Sequence, residues 1–498
     1  MPFQLWQIGF AAFILGCFGL CIQRTIFAPL SKLPGPWHSL ITDLYLMYKE
    51  FTAQRRTYIH GLHNKFGPVV RLGPNEVSFT SLEALKEIYQ SGGSGYDKTE
   101  FYTLFRQFGT RTMFSTLERG DHSQKKRHVA GQYANTNIMH PQVLGGIQDR
   151  ATAFVKRCEE SGRSGMDVYI YLHCFALDCA SHHLFHPRGT KSIEGKDLNM
   201  MEELSYHDSL MSLQSQPILR QATNTITGNL AQYRWPTISN WLEKFFKPRP
   251  APIANRYVLS SSEETDAGEH SLSYRLQNSK GAFQQIQIAA ECMDHLAAGI
   301  DTTGDALCLL MHHLSLPEGF QVQDRLITEL ALSRSEALDD LPYLDAVIKE
   351  GLRCFPPIPM SQPRYVPTGG RMIDGYFIPA RTIVSCQAWS VHQLNEDVFV
   401  NGDQFLPERW LRADAALQMN KLFFSFGAGG RGCTGRHLAM AEMKCLLRAV
   451  YSHYKTRISP DMKGAMTLSD QVISSRPLDQ TCKLIFEPIN PTSKTFQE

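Results

Sequence analysis

The sequence predicts a mainly helical protein with a small β region, preceded by one N-terminal transmembrane helix. Three observations carry this reading. The chain opens with an uncharged, largely apolar run from Phe3 to Ile22. A long helical pattern extends from Ala282 to Leu314, enough to cross a domain at about 1.5 Å per residue. Strand-like pieces are confined to short stretches at 69–79, 371–385 and 481–487.

The bulk numbers agree with one large folded body. Of 498 residues, 43% are hydrophobic and 20% charged, the usage of an ordinary globular protein with ample core. No internal repeat occurs, and no shift in composition marks a boundary after residue 40. The expected division is therefore an anchor at 1–24, a Pro-rich hinge at 25–45 and one folded domain at 46–498. A net charge of +2 gives no global field for nucleic acid. The 12 cysteines are scattered rather than set in a disulfide framework, and no Asn-x-Ser/Thr acceptor occurs, which points to a reducing compartment.

At the N-terminus, twenty residues of helix match the roughly 30 Å hydrocarbon thickness of a bilayer. Trp6 sits where an interfacial aromatic would, and Arg24 and Lys32 follow the run, so the body is expected in the cytosol. A cleaved signal peptide would carry a basic leader and a small-residue cleavage site, and neither is evident. Leu33-Pro34-Gly35-Pro36-Trp37 then breaks any helix.

Along the body, Val69–Phe79 reads as two strands around a Gly-Pro-Asn turn, and Ser260–Ser271 as a loop of low order. Inside the long helix lies Ala298-Gly299-Ile300-Asp301-Thr302-Thr303. Its small residues would let a bulky cofactor lie against the helix, and Asp301 and Thr302 form an acid–alcohol pair suited to passing protons. The plainer reading is a helix weakened by glycine and back-bonding threonine. Glu350 and Arg353 stand three apart among Leu344, Val347, Ile348 and Leu352, which suggests a buried pair in need of a further partner. The stretch Pro407-Glu408-Arg409-Trp410 offers Arg409.

Near the C-terminus, Phe426-Gly427-Ala428-Gly429-Gly430-Arg431-Gly432-Cys433-Thr434-Gly435 precedes a helix-like stretch from Arg436 to Tyr454. Glycines let backbone approach a planar cofactor closely, and a following helix N-terminus favours an anionic sulfur. Three other readings compete. Gly427, Gly429 and Gly432 also spell a dinucleotide fingerprint, but no Asp or Glu lies between Lys444 and Pro460 to take a ribose hydroxyl. Cys433 and His437 lack a second ligand pair for zinc. A plain buried cysteine is the third.

These motifs, in this order, resemble the cytochrome P-450 family, and the resemblance runs from residue 33 to about residue 490. It implies the cytochrome P-450 fold and haem b, with Cys433 as the axial thiolate to iron. It also implies a Glu350–Arg353–Arg409 triad that locks the core, and cofactor contacts from Phe426, Gly427, Ala298 and Gly299. By motif position Arg431, Arg364 and a basic residue of 121–127 meet the haem carboxylates. The family's W-x-x-x-R helix has His122 and Lys126 in those places here, so Lys126 is the named candidate.

The implied activity is monooxygenation of a small apolar organic substrate, with Asp301 and Thr302 relaying protons. Electrons would come from NADPH–cytochrome P-450 reductase, with cytochrome b5 as a second donor. Lys125–His128, Arg436, Lys444 and Arg448 would form the basic docking patch. Pocket candidates by the same analogy are Phe101–Phe114, Met293, Leu296, Ala297, Ile358–Gln362 and Ile473–Ser474. The resemblance is to microsomal members, anchored in the endoplasmic reticulum membrane, and in flavour to those of fungal secondary metabolism. Two alternatives remain open: an oxygen-independent isomerase or dehydratase on the same fold, and a non-enzymatic haem-based sensor.

Overall fold

The structure, a computed structural model, describes residues 29–90, 96–205, 251–279, 281, 283–334 and 336–489, with Gly16 and Gly19. Apart from those two glycines, the expected anchor at 1–24 lies outside the described residues. Among the described residues no helix is long and apolar enough to cross a membrane.

Eight helices frame the site: α1 (Leu44–Phe51), α2 (Arg55–Phe66), α3 (Arg119–Val129), α4 (Pro141–Ser161), α5 (Val168–Phe185), α6 (Gln285–Leu314), α7 (Pro342–Cys354) and α8 (Arg436–Tyr451). The long helix α6 starts at Gln285 because Gln284 and Gln287 cap it reciprocally, the Gln284 N–H donating to Gln287 Oε1 at 2.8 Å. It packs along α5, a helix buried on nearly every side, as its apolar content all round requires. A Cβ added at Gly299 would lie 3.1 Å from the Ala180 methyl, so glycine there lets α5 approach closely.

The β structure is small. Strands β1 (Val69–Gly73), β2 (Glu76–Phe79), β3 (Asp97–Lys98), β5 (Arg364–Tyr365) and β8 (Ile383–Cys386) form one sheet in the order β1-β2-β8-β5-β3. β1 and β2 pair antiparallel around the expected turn, and β2 runs parallel to β8 from Glu76↔Ile383 to Phe79↔Cys386. The β3–β5 register sets Lys98 directly opposite Arg364. A second sheet joins β4 (Met166–Asp167), β12 (Lys483–Pro488) and β9 (Tyr454–Ile458). Two hairpins complete the set: β6 (Arg371–Ile373) with β7 (Tyr376–Ile378), and β10 (Leu468–Asp470) with β11 (Ser475–Pro477).

The helical core is built from α4, α5, α6, α7 and α8, and a separate apolar cluster lies around the first sheet. Two boundaries differ from expectation. The last helix stops at Tyr451, and Tyr454–Ile458 is strand β9, because its aromatic and β-branched residues find a ladder partner in β12 from Leu484↔Ile458 to Pro488↔Tyr454. The expected loop at 260–271 is helical up to Glu263, where Val258, Ser261 and Ser262 are buried.

Candidate active site at the cysteine loop

The loop from Phe426 to Gly435 is folded by its own backbone. The Cys433 N–H donates to the Phe426 carbonyl at 2.7 Å, and the Gly432 N–H to the Gly429 carbonyl at 3.0 Å. Gly427 and Gly429 both have φ of +64°. At Gly429 a Cβ would also fall 2.0 Å from the Tyr89 carbonyl oxygen, so no side chain fits there. Of the ten described cysteines, nine are buried and Cys433 is exposed. Its open face aside, the thiol is packed within the loop. Burial pushes its pKa up, against a hydrogen bond from the Gly435 N–H and the charges of Lys126 and Arg436.

Beside the loop, three long cations converge. Arg364 is 2% exposed and donates from Nη1 to Tyr102 Oη at 2.6 Å and to the Pro363 carbonyl at 2.9 Å. Arg431 donates from Nη2 to the Leu117 carbonyl at 2.8 Å. Lys98, opposite Arg364 in the sheet, donates from Nζ to the Phe114 carbonyl at 2.5 Å. Burial first, then Arg364 and Arg431, hold Lys98 well below the usual lysine range. Burial and Arg364 bring Arg431 down to about 10. His122 is lowered to about 3 by burial and by Lys98, Arg431, Lys126 and Arg364. The Nε atoms of Arg364 and Arg431 are buried without a hydrogen-bond partner. Mutually repelling buried cations with unspent donors fit a ligand that brings carboxylates. Lys98 was missed in the sequence reading, because a lysine in a two-residue strand leaves no pattern; only the sheet register exposes it.

Lys126, the expected carboxylate contact, is engaged by the cysteine loop. Its ammonium donates to the carbonyls of Gly430 at 2.9 Å and Gly432 at 3.2 Å, so it braces the cysteine loop itself. At Gly299 the position of a Cβ is taken up by Ala180 on α5. Ala298 is the exposed small residue of α6, within a helix otherwise largely buried. One turn on, Thr302 Oγ1 donates to the Ala298 carbonyl at 2.7 Å. Asp301 Oδ2 lies 3.6 Å from Arg476 Nη2, a partner on β11 that the sequence did not suggest. Thr303 Oγ1 donates to Glu442 Oε2 at 3.2 Å, tying α6 to the helix that begins behind the cysteine loop.

The expected docking patch is smaller than the sequence implied. Lys444 is buried and paired with Asp339 at 3.0 Å and Asp345 at 3.1 Å, and Arg448 caps the Glu336 and Arg334 carbonyls. Lys125 turns inward, to the Arg111 carbonyl. Arg127 and Arg436 remain exposed. Among the pocket candidates, Met293 and Leu296 belong to the core instead, at 3% and 0% exposure. Phe101, Leu104, Met360 and Ser361 line a pocket of about 460 Å³. Of the aromatic residues at 101–114 only Phe101 reaches that lining, which also carries Glu50, Arg55 and Glu100; behind it Phe101 meets Tyr102 edge-to-face at 5.3 Å, and Phe105 meets Phe114 at 5.2 Å.

The cytochrome P450 family model matches residues 33–483. The chain belongs to the cytochrome P450 family. Curated relatives match over nearly the whole length. "Cytochrome P450 monooxygenase cypX" of Dothistroma septosporum is 27% identical over 507 aligned residues, covering 97% of this chain and 96% of that protein. "Cytochrome P450 monooxygenase stcB" of Emericella nidulans is 28% identical, covering 93% and 90%. "Pisatin demethylase" of Fusarium vanettenii is 27% identical, covering 90% and 87%. As a P450 the chain is a haem-thiolate monooxygenase, whose cofactor iron takes a cysteine as axial ligand.

Proposed function

We propose that Cys433 is that axial cysteine, and that this P450 inserts one atom of O₂ into an apolar organic substrate held near the Phe101–Phe114 wall. The observation that carries the reading is the pairing of one exposed cysteine, in a loop no side chain could cross at Gly429, with orphaned buried donors on Arg364 and Arg431. When bound, the haem supplies oxygen activation, and a thiolate ligand favours O–O cleavage.

The chain's own residues do the rest. Lys126 and the Gly435 N–H hold the loop and offset the sulfur's charge. Arg364, Arg431 and Lys98 take the cofactor carboxylates, which relieves their mutual repulsion. Thr302, back-bonded to Ala298, keeps a hydroxyl at the exposed face of α6, and Asp301 supplies the acid beside it. Phe426 and Gly427 supply backbone close to the macrocycle.

The electrons come from a separate donor, which we take to be NADPH–cytochrome P-450 reductase, docked at the side of Arg127 and Arg436. Membrane attachment in the endoplasmic reticulum rests on the apolar run before Ile22. Exposed Trp37, Leu44 and Tyr45 lie in the hinge and Tyr48 just past it. The 1–24 anchor, 25–45 hinge and 46–498 catalytic domain follow from the same reading. The similarity to a pisatin demethylase, and the aromatic wall, support a secondary metabolite with an apolar scaffold as substrate.

The test is Thr302→Ala in the haem-loaded enzyme with reductase and NADPH. Loss of the hydroxyl should raise peroxide released per dioxygen consumed. A rearranging enzyme or a sensor would be indifferent to the change.

A further inference from the structure

Behind Asp301 lies a group of buried charges that the reading above does not use. Asp305, one turn further along α6, is 1% exposed, and His173 on α5 is fully buried. His173 Nδ1 donates to the Tyr169 carbonyl at 2.7 Å, and its Nε2 faces Asp305 Oδ1 at 3.5 Å. Arg476, from β11 and 3% exposed, donates from Nη1 to the Ser205 carbonyl at 2.7 Å while Nη2 faces Asp301 Oδ2 at 3.6 Å. A Cβ at Gly304 would strike the His173 ring at 2.8 Å, so the glycine keeps a place for the imidazole against α6.

With both carboxyls ionised and the imidazole protonated, Asp301, Asp305, His173 and Arg476 sum to zero charge, an arrangement burial favours over an unbalanced one. The contacts are long for direct hydrogen bonds, and both Asp305 oxygens, His173 Nε2 and Arg476 Nε are buried without a partner. Groups this buried are completed by ordered water.

We propose that Asp305, His173 and Arg476 form a buried, water-bridged charge network that positions the Asp301 carboxylate and feeds protons to it. The proposal rests on the acid role given to Asp301 above. The three are positioning residues, acting through Asp301. The groups that face His173 and Asp305 are Tyr169 from α5, Asp301 and Cys308 from α6, and Arg476 from β11. Burial opposes charge on His173, yet Asp305 and then Asp301 hold its pKa above the usual histidine value. A histidine raised in the fold contributes stability on the acid side that is lost as pH rises through the raised value, and Asp305, which burial also pushes up, acts in the same direction.

The experiment compares Asp305→Asn, His173→Gln and Asp301→Asn in the full-length haem-loaded enzyme with reductase and NADPH. Oxygen consumption is followed from about pH 6 to 9, in H₂O and D₂O. Both network variants should slow consumption roughly tenfold, less than the hundredfold or more a directly placed acid supplies, and flatten its pH dependence. A second reading needs no turnover. The calorimetric midpoint of the wild type should fall as pH rises through this window, and both variants should make that fall shallower, whereas a purely structural defect lowers the midpoint equally at every pH. If Asp301→Asn slows oxygen consumption and the two network variants match the wild type in rate and slope, the network is idle and only this proposal fails. If Asp301→Asn changes nothing, the acid role itself is wrong and the network's purpose falls with it.

Discussion

Arg353 lays two parallel hydrogen bonds on Glu350, Nε to Oε2 at 2.9 Å and Nη2 to Oε1 at 2.8 Å, with both side chains fully buried. Glu350 is saturated by Arg409 Nε at 3.1 Å, Trp410 Nε1 at 2.9 Å and the Leu406 N–H at 2.8 Å. Arg353 spends its other donors on the Gly402 and Gln404 carbonyls, at 2.6 and 2.7 Å. A buried pair so completely bonded fixes the segment from Gly402 to Trp410 against α7, and Ser425 Oγ on the Leu352 carbonyl carries the constraint to the start of the cysteine loop.

Glu350→Ala should therefore leave Arg353 charged, buried and unpaired, at a cost of about 3–5 kcal/mol. Chemical denaturation reads the loss directly. Haem-loaded yield should collapse in parallel. Arg353→Lys should fare nearly as badly, because an ammonium cannot span both oxygens.

Removing one cation from the carboxylate site should move two measurements in opposite directions. In Lys98→Met or Arg364→Met the cofactor-free protein loses like-charge repulsion and gains stability. Cofactor retention should weaken about tenfold, since a hydrogen bond to a charged group is worth about 1.5–3 kcal/mol. Haem transfer to an acceptor globin times the second effect, and urea titration of the cofactor-free form reads the first.

Gly429→Ala tests the loop. The residue would sit at positive φ with its Cβ against the Tyr89 carbonyl, adding about 1–2 kcal/mol of backbone strain to a clash with a backbone oxygen. Thermal melting should show the loss, and little haem should be incorporated.

Glu442 gives a pH signature. Burial raises its pKa to about 8, opposed by the Thr303 hydroxyl and then by Arg150. A carboxyl raised in the fold stabilises it at low pH and loses that contribution as pH climbs toward the raised value. Melting temperature should thus decline between about pH 4.5 and 8, and Glu442→Gln should reduce the decline. Glu291 and Asp294, both raised to about 7 by burial, add slope of the same sign.

The sequence carried the fold class, the long helix, the triad and the cysteine loop because each depends on neighbours close in the chain. Gly427 and Gly429 announce a turn, and Glu350 and Arg353 meet within one helical turn. What stayed hidden depends on register between distant segments. Lys98 matters because β3 pairs with β5, and Arg476 because β11 reaches α6. Lys126 and Lys444 show the converse: one reads as a carboxylate contact and the other as part of a surface patch, yet Lys126 is bent onto loop carbonyls and Lys444 is buried between two aspartates. The packing of Gly299 against Ala180 was hidden in the same way, because a motif names a residue without fixing which neighbour its helix meets.

The central claim is the bond from Cys433 sulfur to haem iron. The enzyme is expressed with haem, reduced, exposed to carbon monoxide and scanned across the Soret region, beside Cys433→Ser. The wild type should show the red-shifted Soret peak of thiolate-ligated iron, and the variant should lose it. A folded, haem-loaded wild type without that peak, or a variant that keeps it, would contradict the account.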